Sequence, residues 1–458
     1  MKFVKKNIDL LNGNILKSLT ELAVPIMATS LVQTAYNLTD MAWIGMVGSD
    51  AVAAVGAAAM YTWLSSGVVT LARMGGQVKS AHAYGEGNRR EVIQYGKGAL
   101  QLALVLAAAY GLLTNLLADP LIGFFHLNSP QVVADAITYL RIACGFIVFA
   151  FIGQTLTGLY TASGNSRTPL MANCIGRGAN IILDPIFIFG LHMDVQGAAL
   201  ATVLSQFASA AWILKFLTGS KAILRLKREN MRLKASRVKK IVSMGMSSFM
   251  AGFTNSLVAV ACNATLQAWG GDLYVGVMTV LHSVREIAEN MVKGLTGGSQ
   301  PVLGYNYGAG EYDRVKQAIK FVSAATISFT VAAWILISAF PEFFIQIFNR
   351  DEGLVAAAIP SIRLYFFGFF MMSLQFSGQA CFIGLGKAKQ AAFFSVFRKV
   401  IIVLPLTLLL PHVAGLGPMG VFLAEPVSNF VGGAACYGTM IRTVWPELGR
   451  KKEKEEKA

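Results

Sequence analysis

Apolar residues along this chain form about twelve long stretches, separated by short polar segments. Each stretch holds roughly 20 residues or more, enough for an α-helix rising about 1.5 Å per residue to cross a bilayer core about 30 Å thick. The pattern therefore predicts an all-α integral membrane protein with twelve transmembrane helices. The predicted spans lie near residues 15–44, 51–79, 92–117, 131–161, 168–190, 195–218, 241–269, 275–300, 315–340, 355–384, 389–411 and 417–443.

Composition agrees with this pattern. Of the 458 residues, 55% are hydrophobic and 14% are charged, whereas a soluble domain carries about 25% charged residues. In a soluble protein the formal net charge of +15 would suggest nucleic-acid binding. Here we assign it to the loops between spans, where basic residues face anionic lipid. We therefore expect membrane lipid as a partner and no nucleic acid.

The basic residues also predict the orientation of the chain. The six loops assigned to the outer side, 45–51, 118–130, 191–194, 270–274, 341–354 and 412–416, contain a single basic residue, Arg350. Most other loop lysines and arginines lie in the inner segments, so the positive-inside rule places both termini in the cytoplasm. The first residues are too polar for a secretory signal, and we expect them to stay attached.

An internal repeat divides the chain into two halves. Gly75 and Tyr84 in GGQVKSAHAYGEG recur as Gly298 and Tyr307 in GGSQPVLGYNYGAG, at an offset of 223 residues. With six predicted spans each, both halves enter the membrane from the same side, as in transporters whose central site lies between two bundles. We predict a six-helix lobe at 1–219, a basic cytoplasmic linker at 220–240, a second six-helix lobe at 241–445 and a charged cytoplasmic tail at 446–458.

Polar residues inside the spans select the candidate functional positions. A charge at the centre of a membrane costs about 2.5 to 3.5 kcal/mol on insertion scales, so it needs a partner, a water-filled cavity or a function. In the first span, Gln33, Tyr36 and Asn37 share a helical face with Asp40. Pro25 lies about four turns earlier and permits a bend in the helix, which makes it a candidate hinge.

The fifth predicted span carries a second polar group. Asn180 and Asp184 lie one turn apart, and Pro185 leaves the carbonyl of Ile181 without its helical donor. Such an all-oxygen set suits hard cations such as Na⁺, and protons. The alternative is a structural ion pair between Asp184 and Arg177, two turns earlier on the same face.

The second half does not repeat these acids. The offset sets Asn263 opposite Asp40, and the part of the eleventh span that matches Asp184 has no acid. The spacing of Glu289 and Lys293 favours an intrahelical ion pair. The acids of the eighth and twelfth spans are Glu286, Glu289 and Glu425.

Motifs of enzymes and ATPases are missing from the sequence. The five histidines form no catalytic or metal-binding pattern, and the phosphate-binding pattern G-x-x-x-x-G-K-[ST] does not occur. The five cysteines lie within apolar stretches, without the spacing of a zinc site or a disulfide framework. We therefore expect no enzymatic activity, no cofactor and no use of ATP, which leaves an ion gradient as the energy source.

Several segments together resemble the multidrug and toxic compound extrusion family over nearly the whole chain. They are QTAYNLTDMAWIGMVGSDAVAAVG, YGEGNRREV with its repeat YGAGEYDRV, and ILDPIFIFGLHMDVQGAALAT. The resemblance implies two six-helix lobes around a central cleft and exchange of organic cations for Na⁺ or H⁺. It also implies a cation site in the first lobe, formed by the four residues at the family's positions, Asp40, Asn180, Asp184 and Thr202. The acids that some relatives carry on the seventh and tenth spans are missing here, which argues against a second ion site.

The resulting expectation is a secondary antiporter that works by alternating access, in the plasma membrane of a bacterium or archaeon. We expect it to be a monomer and to expel amphipathic, cationic organic compounds, with no cofactor besides the coupling ion. Aromatic and amide side chains would form the substrate cavity. The candidates for this cavity are Gln33, Tyr36, Asn37, Tyr139 and Asn263.

Two alternatives belong to other functional classes. A flippase for lipid-linked saccharides would need extra spans and several unpaired basic residues in its cavity. The twelve predicted spans argue against it, but six arginines within or beside the spans keep it open: Arg73, Arg141, Arg177, Arg285, Arg363 and Arg398. A membrane-embedded enzyme or a channel is less well supported, because catalytic clusters and a ring of pore charges are both missing from the sequence.

The orientation can be tested at Ser220, in the predicted basic linker. A cysteine introduced there should react only with thiol reagents that enter the cytoplasm, because the linker carries nine lysines and arginines. The measurement is labelling of intact cells, with a cysteine at Ser129 in a predicted outer loop as the accessible control. Labelling of the Ser220→Cys protein by an impermeant reagent would overturn the orientation and the parallel repeat.

Overall fold

The computed structural model describes residues 8–11, 13–125, 127, 129–218 and 234–455, and throughout these ranges the regular structure is helical, with no β-strand. The predicted all-α class is therefore confirmed. Most of the predicted linker, residues 220–233, and the last residues of the predicted tail, 456–458, lie outside the described part of the chain.

The described residues of the first half form eight α-helices and one π-helical segment. The π-helical segment, Ile186–Gly190, follows α7 directly, so the fifth predicted span changes its hydrogen-bonding pattern just after Pro185. The α-helices are α1 (Ile15–Val47), α2 (Ser49–Gly85), α3 (Arg89–Leu116), α4 (Ala118–Gly123), α5 (Pro130–Gly145), α6 (Val148–Ala162), α7 (Arg167–Pro185) and α8 (Asp194–Thr218).

Between residues 234 and 455 the second half adds eight α-helices. A second π-helical segment, Phe397–Val403, follows α14, and a short 3₁₀ turn, Leu410–His412, ends the same span. The α-helices are α9 (Ala235–Gly308), α10 (Tyr312–Ala339), α11 (Pro341–Gln346), α12 (Glu352–Tyr365), α13 (Phe369–Gly384), α14 (Ala388–Val396), α15 (Leu404–Leu409) and α16 (Pro418–Glu455).

Each predicted span lies in one helix or in consecutive helical segments. In the described ranges, seven helices are long and apolar enough to cross a membrane, and nine segments qualify when two bent pairs each count as one span. These pairs are α5 with α6, bent by 45°, and α12 with α13, bent by 51°. The helix α9 contains two predicted spans, which Gly271 separates with a non-helical φ of 64° and ψ of −163°. The helices α7 and α16 are not among these segments, because their polar residues lower their mean hydropathy.

The chain folds into two compact units. The first contains Ala28–Met246 and the second contains Leu10–Met27 together with the chain from Ser247. The beginning of α1 is therefore part of the second unit, and the beginning of α9 is part of the first. The predicted lobe boundaries at 219 and 241 remain predictions.

Buried apolar residues form separate cores within the units. In the first unit, one core joins Ile44 of α1 and Tyr139 of α5 to Ile188 of the first π-helical segment. Another core of this unit packs Ala99 of α3 and Leu159 of α6 with Ile241 at the start of α9. The second unit has a core around α9, α12 and α16. The helices that carry the candidate site, α5, α7 and α8, are thus held by packing on rigid neighbours.

Glycines of the repeat allow close helix contacts within each unit. A Cβ atom on Gly75 of α2 would lie 2.0 Å from the carbonyl oxygen of Ile241, in the first unit. A Cβ atom on Gly298 of α9 would lie 2.8 Å from the Cα of Ala23, in the second. These two glycines are equivalent by the offset of 223 residues, so each repeat uses the same glycine to contact the beginning of the other repeat's first helix.

We expect Gly75→Ala to destabilise the protein by about 1–3 kcal/mol, because a methyl group would force the backbones of α2 and α9 apart. Gly56→Ala in the same helix is the matched control, since a Cβ atom there has no neighbour within 4 Å. The measurement is the thermal unfolding midpoint of the purified protein in detergent. Equal midpoints for the two variants would contradict the close contact.

Candidate functional site

Six polar side chains from four helices meet within the first unit. They come from α1, α5, α7 and α8, and each interacts with at least one other member of the set. We call this set the carboxylate site. Its members are Tyr36, Asp40, Tyr139, Asn180, Asp184 and Thr202.

The buried base of the carboxylate site is formed by α7. Asn180 and Asp184 are both 0% exposed, and the Asn180 Nδ2 donates a hydrogen bond of 3.1 Å to the Asp184 Oδ1. The other oxygen of each side chain, Asn180 Oδ1 and Asp184 Oδ2, is buried and has no hydrogen-bond partner within the described part of the chain. Buried polar atoms in proteins are normally paired. Two unpaired oxygens one helical turn apart are therefore the strongest local sign of a ligand.

The second carboxylate comes from α1. Asp40 is a direct electrostatic neighbour of Asp184. Two carboxylates at this distance repel each other strongly in an apolar setting unless a cation lies between them or one of them is protonated. The pair can therefore bind a proton or a small cation, and it loses that ability if either acid becomes neutral.

Hydroxyl groups line the other side of the carboxylate site. The Thr202 hydroxyl lies within hydrogen-bonding reach of the phenol groups of Tyr36 and Tyr139. Both tyrosines are buried, at 7% and 6% exposure. With Asn180 and the carboxylates they make an oxygen-rich set, which suits a hard cation rather than a soft metal. Among the described residues no three His, Cys, Asp or Glu side chains are grouped to hold a metal ion.

The sequence left open an ion pair between Arg177 and Asp184, but in the structure Arg177 has other partners. Its guanidinium lies 4.3 Å from the ring centre of Tyr36 and donates a hydrogen bond to the Gln33 Oε1. The Gln33 Nε2 in turn donates to the Asn37 Oδ1 at 2.7 Å. None of the ion pairs formed in the described ranges joins Arg177 to Asp184. The acid is therefore not neutralised by a permanent salt bridge.

The remaining predicted residues lie outside the carboxylate site. Gln33 and Asn37 are on adjacent turns of α1, next to it. Asn263 is an exposed residue of α9 in the second unit, and Pro25 is a buried residue of α1 that also belongs to that unit. The boundary between the units falls within α1, between Met27 and Ala28, two residues after the candidate hinge.

The second unit contains a buried cluster of charges, which we call the basic cluster. Glu289 binds Lys293 at 2.8 Å, which confirms the predicted intrahelical pair, and it also binds Arg285 at 2.5 Å. Arg285 further contacts Glu425 of α16. Glu425 is 5% exposed, whereas Glu286 is exposed and takes no part. The remaining members come from the second π-helical segment, Arg398 at 2.6 Å and Lys399 at 3.3 Å from Glu425.

The sequence pointed to most residues of the basic cluster but did not predict that they lie in contact. It missed Lys399 and Tyr365, whose hydroxyl accepts a hydrogen bond of 2.8 Å from the Arg285 Nη1. The available signal was the pair of consecutive basic residues within the apolar eleventh span. Of the six arginines that supported a flippase, four have polar side-chain partners: Arg141 with Asp119, Arg177 with Gln33, and Arg285 and Arg398 with Glu425.

The MatE family model matches this chain twice, at residues 25–186 and 247–409. The chain belongs to the MatE family. One match lies in each half of the sequence repeat, and each covers most of the first five predicted spans of its half. The protein is thus a multi-pass membrane protein of a transporter family, as the sequence resemblance implied.

Similar proteins agree on the family and the fold. The probable multidrug resistance protein NorM of Thermotoga maritima is 28% identical over 364 residues, which cover 78% of this chain and 77% of that protein. The FAD transporter of Shewanella oneidensis is 23% identical over 447 residues, 95% of this chain and 96% of its own. A crystal structure of MATE in the bent conformation superposes with a TM-score of 0.93 at 22% identity, over 98% of this chain and 99% of that one. These similarities extend over most of both chains in each comparison.

The two buried acids should respond differently to neutralisation. Glu425→Gln should lower the free energy of unfolding by about 3–5 kcal/mol, because Arg285, Arg398 and Lys399 would lose their shared counterion. Asp184→Asn should leave stability unchanged or raise it, because no cation depends on this acid and an amide costs less to bury. The measurement is thermal unfolding of the purified proteins, with Glu342→Gln on the exposed surface of α11 as the control. A comparable loss in Asp184→Asn would reveal a cationic partner for Asp184.

Proposed function

We propose that the protein is a secondary antiporter that exports amphipathic organic compounds, cationic ones included, in exchange for Na⁺ or H⁺ bound at the carboxylate site. The ion ligands are Asp40, Asn180, Asp184 and Thr202. The observation that carries the proposal is the pair of buried oxygens on Asn180 and Asp184 that have no hydrogen-bond partner among the described residues. Beside them lies a second carboxylate, Asp40, which forms no salt bridge within the same ranges.

Coupling follows from the charge of this site. While both acids are charged, the site attracts a cation from whichever side of the membrane it faces. Binding of Na⁺ or a proton removes the repulsion between Asp40 and Asp184, which allows α1 to move against α7. One charge crossing 100 mV supplies about 2.3 kcal/mol, which sustains a gradient of about fiftyfold.

The bend in α1 would lie at Pro25. A proline within a helix lacks the N–H that would bond to the carbonyl four residues earlier, so the helix bends there at low cost. The similar MATE protein has been observed in a bent conformation, which supports a shape change of this kind here. The division of α1 between the two units, just after Pro25, gives the two parts of the helix different surroundings.

Substrate recognition would use the residues next to the ion ligands. Tyr36 and Tyr139 offer aromatic surfaces, and Gln33 and Asn37 offer amide groups on the adjacent turn. An organic cation would be attracted by the same carboxylates as the coupling ion, so the two would compete. The probable multidrug resistance protein among the similar sequences supports a broad range of organic substrates.

The experiment is efflux of a cationic dye from proteoliposomes that carry either a Na⁺ gradient or a pH gradient. Wild-type protein should respond to one of the two gradients, and this identifies the coupling ion. Asp40→Asn and Asp184→Asn should each reduce gradient-driven efflux at least a hundredfold, because a single carboxylate cannot form the paired site. The control is Asp50→Asn, which neutralises an exposed acid in the first turn of α2.

Thermal stability is measured on the same preparations, so that loss of transport is separated from loss of folding. Folded Asp40→Asn and Asp184→Asn proteins that exchange dye for ions at the wild-type rate would refute the carboxylate site. Efflux that persists at the wild-type rate without either gradient would refute ion coupling altogether.

A further inference from the structure

The basic cluster of the second unit carries more positive charge than its own acids neutralise. It contains four basic groups, Arg285, Lys293, Arg398 and Lys399, against two acids, Glu289 and Glu425. Three of the basic groups are largely inaccessible, with side-chain exposures of 7%, 5% and 15% for Arg285, Arg398 and Lys399. An excess of buried positive charge is expensive in an apolar setting, so it favours binding of an anion.

The geometry of the cluster is that of an oxyanion site. Donors from Arg285, Arg398 and Lys399 converge on one atom, the Oε1 of Glu425, while its Oε2 is contacted by Lys399 alone at 3.4 Å. Three cationic donors around one oxygen are far more than a structural salt bridge needs. The Glu425 carboxylate thus occupies the position that the oxygen of a bound carboxylate or phosphate would take.

A donor in this site also remains unused. The Arg398 Nε is buried and has no hydrogen-bond partner among the residues that the structure describes, and Arg398 is 4% exposed. Because a guanidinium binds carboxylate and phosphate groups best with two parallel donors, the Nε beside the engaged Nη2 is the donor that a second acceptor oxygen would use. Glu425 uses only one of these donors.

The backbone presents these side chains by an unusual local structure. Arg398 and Lys399 are consecutive, and neighbouring residues of an α-helix point in directions about 100° apart. Here they lie in the π-helical segment Phe397–Val403 and both reach Glu425. Such π-helical insertions are frequent at functional sites.

The ion pairs of the cluster extend from the surface of the unit to its buried part. They run from Lys293, whose side chain is 47% exposed, through Glu289 at 15%, to Arg285 and Glu425 at 7% and 6%. The basic groups Lys293 and Arg285 thus lie on either side of Glu289, at the exposed and the buried end of this chain of contacts. The Tyr365 ring, 5.4 Å from the Arg285 guanidinium, adds an aromatic surface beside the buried end.

From these observations we infer that the basic cluster is a binding site for the carboxylate or phosphate group of an organic molecule, which displaces Glu425 as the partner of Arg398. Glu425 serves as a tethered anion that holds the site closed when no ligand is bound. The transported compounds then include amphipathic molecules with an anionic group. The inference does not depend on the proposed carboxylate site, because binding needs no ion gradient.

The test is binding of phenyl phosphate to purified full-length protein in a neutral detergent, followed by the shift in thermal unfolding. Phenyl phosphate should raise the midpoint of the wild type, and phenyltrimethylammonium at the same concentration should not. Arg398→Met should abolish the shift, whereas Arg350→Met, which removes an exposed arginine, should leave it unchanged. Phosphatidylglycerol forms a second arm, and a response that requires Arg398 but only to this lipid would identify the ligand as a lipid headgroup.

Glu425→Gln distinguishes a binding site from a structural cluster. With its tethered anion removed, this variant should be less stable than the wild type without ligand, and phenyl phosphate should restore its midpoint and bind at least tenfold more tightly. If the variant does not fold, equilibrium dialysis of radiolabelled phenyl phosphate with wild type, Arg398→Met and Lys399→Met decides the question. The same affinity in all three proteins, or a folded Glu425→Gln protein that the anion does not stabilise, would overturn the inference.

Discussion

Charge enclosed by apolar helices is the constraint on which the rest of this structure depends. An ion removed from water must find a partner nearby, and the two units meet this requirement in different ways. In the second unit, basic residues surround Glu425 and neutralise it. In the first unit, Asp40 and Asp184 face each other, and the nearest arginine is held by Gln33 and Tyr36 instead. This pair of acids therefore needs a proton or a cation from solution to balance its charge.

The two repeats share their architecture while their chemistry has diverged. Position by position, the offset of 223 residues sets Thr202 of the carboxylate site against Glu425 of the basic cluster, and Asp184 against Thr407, which contacts Cys262. A carboxylate in one repeat is thus a neutral side chain in the other. The two repeats kept the same helix packing, which needs glycines at equivalent positions. Their polar positions changed independently.

The first helix of each repeat links the two units. Residues Leu10–Met27 belong to the second unit, while the beginning of α9, up to Met246, belongs to the first. Close contacts at Gly75 and Gly298 hold these helix ends in place. Asp40 lies on the part of α1 that belongs to the first unit. A change at the carboxylate site therefore acts on a helix whose beginning belongs to the second unit.

The sequence alone determined the all-α class, the repeat and the family, because hydropathy and a fixed offset are properties of the chain itself. It also predicted Asp40, Asn180, Asp184 and Thr202 as one set, through the family resemblance and the spacing of residues on a helix. Only the tertiary structure decided the partners. Arg177 binds Gln33 rather than Asp184, and Lys399 reaches Glu425 through a π-helical segment, because contacts between helices depend on packing and local helix geometry that spacing along one helix does not contain.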